Sequence, residues 1–218
     1  MAEVSWRYER KYRIEGNSLP QILAWLQGHP AAFRPLYPRR QVNNIYFDDP
    51  QLTAYHENVF GVGERQKVRL RWYGPTDPPS GPAQLEVKIK RQELGTKHII
   101  PREAPFALSQ IGAIEHWVQA QLPAGRPYLA TLLNAYERDY FISADRRFRL
   151  TLDVNLRYHY LRSSPEWRTF VRRDPAIILE VKYEQAWDQL ADEICRYIPF
   201  RQSKHSKYVQ GLQMGQKI

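Results

Sequence analysis

Charged and apolar residues alternate strictly in five separate segments, and this pattern constrains the fold more than any other feature of the chain. Lys67, Arg69 and Arg71, for example, are separated from one another by single apolar residues. A period of two residues is typical of β-strands, because successive side chains point to opposite faces of a sheet. The pattern predicts strands over residues 8–14, 67–73, 85–90, 147–153 and 179–183.

Three further strands and three helices complete the predicted fold. Segments 41–47, 96–100 and 136–142 are rich in strand-forming residues or lie at hairpin distance from a predicted strand. Apolar residues at helical spacing predict helices over 19–26, 105–122 and 187–198, and clustered Gly and Pro residues predict a loop over 74–82. Short connections require antiparallel pairing. We therefore expect an α+β fold with about eight antiparallel strands, in a single domain over residues 1–218.

The formal net charge of +9 narrows the classes of ligand. A basic protein attracts polyanions, among them nucleic acid, anionic membranes and phosphorylated small molecules. The single cysteine, Cys195, cannot form an internal disulfide, and this fits a reducing cytoplasm. No apolar run is long enough to cross a bilayer. We expect a soluble, cytoplasmic protein, for which a role at a membrane would require a partner that recruits it.

The charged strand faces are expected to point inward, although such faces usually point to solvent. Cations outnumber carboxylates on these faces, and Thr, Ser and Gln are scarce there. The apolar faces need cover, which the intervening helices can supply from outside. This arrangement predicts an antiparallel β-barrel of about eight strands with a polar lumen and helices packed around it. Because buried cations without partners are costly, such a lumen must hold water and a polyanion, and a narrow triphosphate is a good candidate.

Other kinds of site are poorly supported by the sequence. None of the six histidines has a metal-ligand spacing with another histidine or with the cysteine, and the chain has no P-loop or dinucleotide-binding glycine motif. Aromatic residues are plentiful, as in nucleic-acid binders, but most lie on apolar strand faces, where core packing explains them. Carboxylates that remain among so many cations indicate instead a hard divalent ion bound together with phosphate.

Eight short motifs occur in a fixed order along almost the whole chain. They are RYERKY at 7–12, NIYFD at 44–48, KVRLRWY at 67–73, LEVK at 85–88, YER at 136–138, RLTLD at 149–153, LEVKY at 179–183 and SKHSKY at 203–208. Each motif alone is common, but together and in this order they resemble the triphosphate tunnel metalloenzymes, or CYTH-like superfamily. Within that superfamily the chain is most similar to the VTC-type (vacuolar transporter chaperone) polyphosphate polymerase domain.

The resemblance implies a role for each matching residue. Seven cations would grip phosphates during catalysis: Lys11, Arg69, Arg71, Lys88, Arg138, Arg149 and Lys182. Further substrate contacts would come from Lys67, Lys90, Lys204, Ser206 and Lys207, the last three closing one tunnel mouth. Glu180 would be the principal ligand of Mn²⁺ or Mg²⁺, with Glu9 and Asp153 as helpers.

One departure from the family pattern bears on the reaction. Hydrolytic and cyclase relatives open with two glutamates and a lysine alternating on the first strand, and here Arg7 stands in place of the first glutamate. This change removes a metal ligand and weakens a second, water-activating metal site. It favours a phosphate acceptor over water.

The leading hypothesis is therefore a polymerase that makes polyphosphate from ATP, with ATP and polyphosphate as its ligands. A triphosphatase on the same scaffold is the nearest alternative. A polyphosphate or inositol-phosphate sensor would keep the cations but would not need Glu180 as a metal ligand. An RNA-binding barrel is a more distant alternative, because the aromatic residues are better explained by packing.

Overall fold

The computed structural model describes residues 6–77, 81–161 and 172–215. Within these ranges the alternating segments form strands, which are β1 (Arg7–Ile14), β2 (Arg34–Asp48), β3 (Glu64–Tyr73), β4 (Ala83–Arg91), β5 (Leu94–Arg102), β6 (Leu129–Ile142), β7 (Arg149–Tyr160), β8 (Arg172–Asp174) and β9 (Ile177–Glu184). The α-helices in the same ranges are α1 (Leu19–Gln27), α2 (Thr53–Val59), α3 (Ile111–Gln121), α4 (Asp188–Cys195) and α5 (Lys207–Gly215).

Eight of the strands form one closed antiparallel ring. Their order is β6-β2-β3-β4-β5-β1-β9-β7, and β7 pairs back to β6. The short strand β8 pairs with β7 beside the ring. The pairing between β1 and β5 is short, with Arg7 opposite Gly95. The predicted α+β fold with about eight antiparallel strands around a lumen is confirmed.

Two strands are much longer than predicted, and burial explains the difference in β6, whereas the added residues of β2 are mostly exposed. β2 begins at Arg34 and β6 at Leu129, whereas the sequence predicted starts at residues 41 and 136. The first half of β6 is mostly apolar, because its residues are buried on both faces. A strand covered on both sides shows no polar alternation, so the pattern that identified the other strands is absent there.

The helices were predicted less accurately than the strands. Helix α1 matches its prediction and starts with a capping box, in which Ser18 and Gln21 satisfy each other's backbone donors. Helix α3 begins at Ile111, whereas the prediction began at residue 105 and was wrong over its first residues. Helices α2 and α5 were not predicted. The predicted loop over 74–82 falls partly outside the described residues.

The helices α1, α3 and α4 cover the apolar outer faces of the ring. One core contains Leu150, Leu179 and Val181 of the strands together with Ile22 and Leu26 of α1. The buried thiol of Cys195 belongs to this core, as expected for a small apolar side chain. A second core joins β2, β3, β4 and β6 to α3. Because both cores lie outside the ring, the charged strand faces are left pointing inward, as the sequence indicated.

Helix α5 packs against the inner faces of β6 and β7, at one end of the ring. Tyr208 and Leu212 share a core with Tyr136, and the ring of Tyr208 stacks on Tyr46 with centroids 5.1 Å apart. Gly211 allows this close approach, since a Cβ atom there would lie 2.5 Å from a methyl carbon of Leu132.

In the described ranges, no helix has both the length and the apolar character needed to span a lipid bilayer. The assignment of residues 1–218 to a single domain stays a prediction.

Candidate functional site

The inner faces of six ring strands and the segment before α5 converge on one cavity. Its wall consists of eight cations, two carboxylates and four other side chains. These residues are Glu9, Lys11, Tyr46, Lys67, Arg69, Arg71, Lys88, Tyr136, Arg138, Glu180, Lys182, His205, Ser206 and Lys207.

The structure brings together most of the residues that the sequence selected, but four lie elsewhere. Arg149 is exposed at the start of β7, and Lys204 is exposed before α5. Lys90 forms an ion pair with Glu93, at 3.4 Å. Asp153 is fully buried behind the wall. Their predicted roles at the site stay predictions, and this arrangement gives them less support than the wall residues have.

Glu180 lies among cations at the centre of the wall. Its carboxylate oxygens are 3.3 Å from Lys11 Nζ and 3.0 Å from Lys182 Nζ, and Arg138 is 3.8 Å away. Burial alone would raise the pKa of Glu180, but Lys11 and Lys182 outweigh it and hold the pKa well below its usual value. Glu180 is therefore a carboxylate over the whole physiological pH range.

Glu9 shares its cationic neighbours with Glu180. Both of its oxygens accept hydrogen bonds from Lys88 Nζ at 2.8 Å, and Lys11 is 3.5 Å away. Its burial also opposes ionisation, and Lys88 and Lys11 again hold its pKa well below the usual value. Two ionised carboxylates thus face the same cavity through shared lysines.

Asp153 binds cations with both of its oxygens. Arg138 donates to them at 2.5 and 2.7 Å, and Lys207 Nζ lies 2.5 Å from one of them. A fully buried carboxylate in a two-pronged Arg pair fixes the direction of that guanidinium. The structure therefore favours a positioning role for Asp153, holding Arg138 and Lys207 toward the cavity, over the predicted role as a metal ligand.

Glu86 orients Arg69 as Asp153 orients Arg138, and no role for Glu86 was predicted from the sequence. Its carboxylate is buried and accepts from Arg69 Nε at 2.7 Å and from Lys97 Nζ at 2.8 Å. Arg69 and Glu86 are directly opposite in the pairing of β3 with β4. Their opposite charges at matching strand positions were the signal that could have identified the pair.

Polar side chains behind the wall also orient Arg71, and no sequence pattern indicated them. Arg71 Nε donates to Asn44 Oδ1 at 2.9 Å, and Asn44 in turn donates to Asn134 at 2.8 Å. Tyr136 lies beneath Arg138 and Lys207, at 5.2 and 4.8 Å from its ring centre. These buried amides and rings hold the cations in fixed directions without neutralising them.

Lys67 differs from the other lysines of the wall. Within the described ranges it forms no ion pair with a carboxylate, and its Nζ donates instead to Ser206 Oγ at 2.9 Å. Burial lowers the pKa of Lys67 well below its usual value, and the nearby charges of Lys11 and Lys88 act in the same direction. The neighbouring imidazole of His205 is neutral, because burial and cations lower its pKa to about 3.

The wall can hold a divalent metal only with the help of a ligand. No group of three or more His, Cys, Asp or Glu side chains suited to a metal occurs in the described ranges. Glu180 and Glu9 nevertheless supply two hard oxygen donors to one cavity. Mg²⁺ and similar ions are commonly bound by one or two carboxylates together with substrate phosphates. The donor set fits such an ion when phosphate is present.

Similarity to known proteins is found for a family model and for the fold. A family model described as the VTC domain matches residues 6–215. A Vibrio parahaemolyticus protein provisionally named an adenylate cyclase is 15% identical, with a TM-score of 0.56 over 97% of this chain and 99% of its own. The Hippeastrum protein HpAC1, provisionally named an adenylyl cyclase and described as having a dominant triphosphatase activity, is 15% identical, with a TM-score of 0.49 over 98% of this chain and 97% of its own. No curated protein sequence matches. At this identity the Vibrio likeness shows a common fold.

Proposed function

The chain belongs to the VTC domain family, and we propose that it is a polyphosphate polymerase. In this proposal it transfers the terminal phosphoryl group of ATP to a growing polyphosphate chain inside the tunnel, with a divalent metal. The proposal is carried by the concentration of eight lysine and arginine side chains around one cavity that holds only two carboxylates in its wall. Such an excess of positive charge fits an extended polyanion better than a single charged group.

Arginine and lysine divide the binding of phosphate between them. Arg69, Arg71 and Arg138 are each oriented by a buried acceptor, so their remaining N–H groups can fork onto phosphate oxygens. Lys11, Lys88 and Lys182 of β1, β4 and β9 supply point charges to the same cavity. Because these groups are fixed before the substrate binds, they stabilise the transferred phosphoryl group with little reorganisation.

The reaction moves one phosphoryl group between two phosphate oxygens. The bond from the γ-phosphorus to the bridging β-oxygen breaks, a bond to a terminal oxygen of the acceptor chain forms, and ADP leaves. Glu180 and Glu9 would hold Mn²⁺ or Mg²⁺, which when bound neutralises charge on the phosphate oxygens. Since the acceptor is already an ionised phosphate, no residue of the wall has to remove a proton from it.

The number and position of the acidic groups support a phosphate acceptor over water. Arg7 is exposed at the start of β1 and adds no carboxylate to the cavity. Asp153 and Glu86 are engaged by arginine and lysine. Glu9 and Glu180 are the acidic groups that remain, and both contact Lys11. This set supports one metal shared with the substrate better than a second metal that activates water.

Incubation of the purified protein with ATP and Mn²⁺ tests the proposal. We expect ADP together with acid-labile polyphosphate that forms a ladder on a gel. A variant with Arg196, an exposed cation directly after α4 that does not line the cavity, changed to Ala should give the same ladder. Release of orthophosphate without a ladder at any time would show that the protein is a triphosphatase and not a polymerase. Tight polyphosphate binding without any consumption of nucleotide would show that the protein is a polyphosphate sensor.

A further inference from the structure

Three tyrosines and one arginine form a cluster at the end of the tunnel next to Arg71 and Arg138. The guanidinium carbon of Arg40 lies 5.0 Å from the ring centre of Tyr37, 5.7 Å from that of Tyr73 and 5.8 Å from that of Tyr140. The rings of Tyr37 and Tyr140 meet edge to face at 5.7 Å. We call these four residues the aromatic rim.

A bulge in β2 places the aromatic rim on the inner face of the ring. Tyr37 pairs with Tyr140, and Arg40 pairs with Arg138, so β2 has one extra residue between these two pairs. A bulge of this kind re-aims side chains and is common at barrel rims. It turns Tyr37 to the same side as Arg40, and Arg40 is opposite Arg138 of the cavity wall.

The aromatic rim continues the phosphate site outward. Tyr73 follows Arg71 by two residues on β3, and Tyr140 follows Arg138 by two residues on β6, which corresponds to about 6.6 Å along a strand. Burial raises the pKa of Tyr140 to about 12, against the opposing charge of Arg138. Its phenol is therefore neutral and does not repel an anion at the neighbouring cations.

The rings of the rim are partly open to a ligand. The exposed fractions are 49% for Tyr37 and 36% for Tyr73, values that leave ring surface uncovered in the protein alone. Tyr37 and Tyr140 also border an apolar pocket of about 420 Å³ on the outer, α1 side of this end of the ring, between α1 and the ends of β2 and β6. Small-molecule pockets commonly have volumes of about 300–1,000 Å³ and apolar walls with a few polar groups. Arg39 and Asp139, which are paired at 2.7 Å, supply such groups at its edge.

From this geometry we infer that the aromatic rim is a nucleobase site, on which the base of a nucleoside triphosphate stacks while its phosphates enter the cation wall. Within the described ranges no carboxylate forms an ion pair with Arg40, so its planar guanidinium is available to stack. Aromatic rings and arginine bind bases by stacking with little dependence on base identity. The inference rests on the proposed function. It assigns to the aromatic rim a preference of the protein for nucleotides over inorganic triphosphate.

The test compares two ligands that differ by the nucleoside. Affinities for ATP and for inorganic tripolyphosphate are measured by calorimetry without metal, for the parent, Tyr37→Leu and Tyr140→Leu. We expect each substitution to weaken ATP binding about tenfold, within the range for loss of one stacking contact, and to leave tripolyphosphate binding unchanged. Tyr37→Phe, which keeps the ring, should bind ATP as the parent does.

A matched control is available on the opposite side of α1. Tyr197 is 45% exposed and has Arg196 over its ring at 5.1 Å, but it does not line the tunnel or the pocket. Tyr197→Leu should therefore change neither affinity. If Tyr37→Leu and Tyr140→Leu bind both ligands like the parent, or lose both equally, the nucleobase site is wrong while the phosphate site stands. If the parent binds neither ligand, the proposed function itself fails.

Discussion

The lumen of the ring is filled in different ways at its two ends. At the α5 end, protein fills the lumen: Tyr208 and Leu212 are buried against Tyr136 and Leu132. At the other end, the lumen is lined by cations and stays open as a cavity. Both ends belong to the same strands, and Tyr136 lines the cavity while it also packs on α5.

The difference shows how a strand ring can hold many like charges. Around the cavity, Glu86, Asp153, Glu9 and Glu180 offset part of the cationic charge. Two of these carboxylates are buried behind arginines and orient them, and two face the cavity. At the α5 end no such compensation is needed, because dispersion and apolar burial stabilise the contact. The charged end is therefore the one suited to bind a ligand, and the apolar packing at the α5 end stabilises the strands that both ends share.

Removal of the charge on Glu180 should give the largest effect and separate binding from turnover. In Glu180→Gln we expect turnover with Mn²⁺ to fall by at least about 100-fold, the scale for losing a key electrostatic group. Because the substitution removes a negative charge beside Lys11 and Lys182, tripolyphosphate affinity without metal should be retained or increase. Steady-state kinetics and calorimetry measure the two quantities.

Glu193→Gln is the matched control for that experiment, since Glu193 is exposed on α4. It should behave as the parent in both measurements. Turnover of Glu180→Gln at the parental rate would show that Glu180 is not the metal ligand. Loss of tripolyphosphate binding in this variant would show that its carboxylate supports the fold of the cationic end.

The variant Arg71→Ala tests the cationic end, because the substitution removes a predicted phosphate contact. Arg71→Ala, like Arg69→Ala, should weaken triphosphate binding by about 1.5–3 kcal/mol, the range for hydrogen bonds to charged groups. Arg91→Ala is the control, because Arg91 forms an exposed ion pair with Glu64 outside the cavity. Unchanged affinity in both Arg69→Ala and Arg71→Ala would refute the assignment of the cavity as the phosphate site.

The sequence predicted the cationic end much better than the apolar end. Charges alternate with apolar residues along β3 and β9, and this pattern identifies both the strands and the inward face. The orientation of Arg71 depends on Asn44 and Asn134, two buried amides from distant parts of the chain that no local pattern connects. Helix α5 was not predicted, and its contacts run through Gly211, whose importance comes from what it touches across the ring.

Two glycines in helices test the packing of the apolar end. A Cβ atom at Gly211 would lie 2.5 Å from Leu132 Cδ2 and 2.6 Å from Tyr158 Cδ1. We expect Gly211→Ala to lower the free energy of unfolding by about 1–2 kcal/mol through overpacking. At Gly112 of α3 a Cβ atom would have no neighbour within 4 Å, so Gly112→Ala should be neutral or stabilise by up to about 1 kcal/mol. Urea unfolding measures both, and equal changes in the two variants would contradict the tight fit of α5.

The smallest effect concerns the pH dependence of the cationic end. Burial, Lys11, Lys88, Arg65 and Arg69 lower the pKa of Lys67 in the empty cavity. A bound polyphosphate raises that pKa, so binding takes up a proton at pH values between the two pKa values. Affinity should therefore be highest below the lowered pKa and should fall as pH rises, by at most about tenfold per pH unit for this one proton. In Lys67→Arg the charge does not titrate, so tripolyphosphate titrations without metal should show a shallower pH slope and less proton uptake. Identical slopes in the two proteins would show that Lys67 is already protonated in the empty cavity.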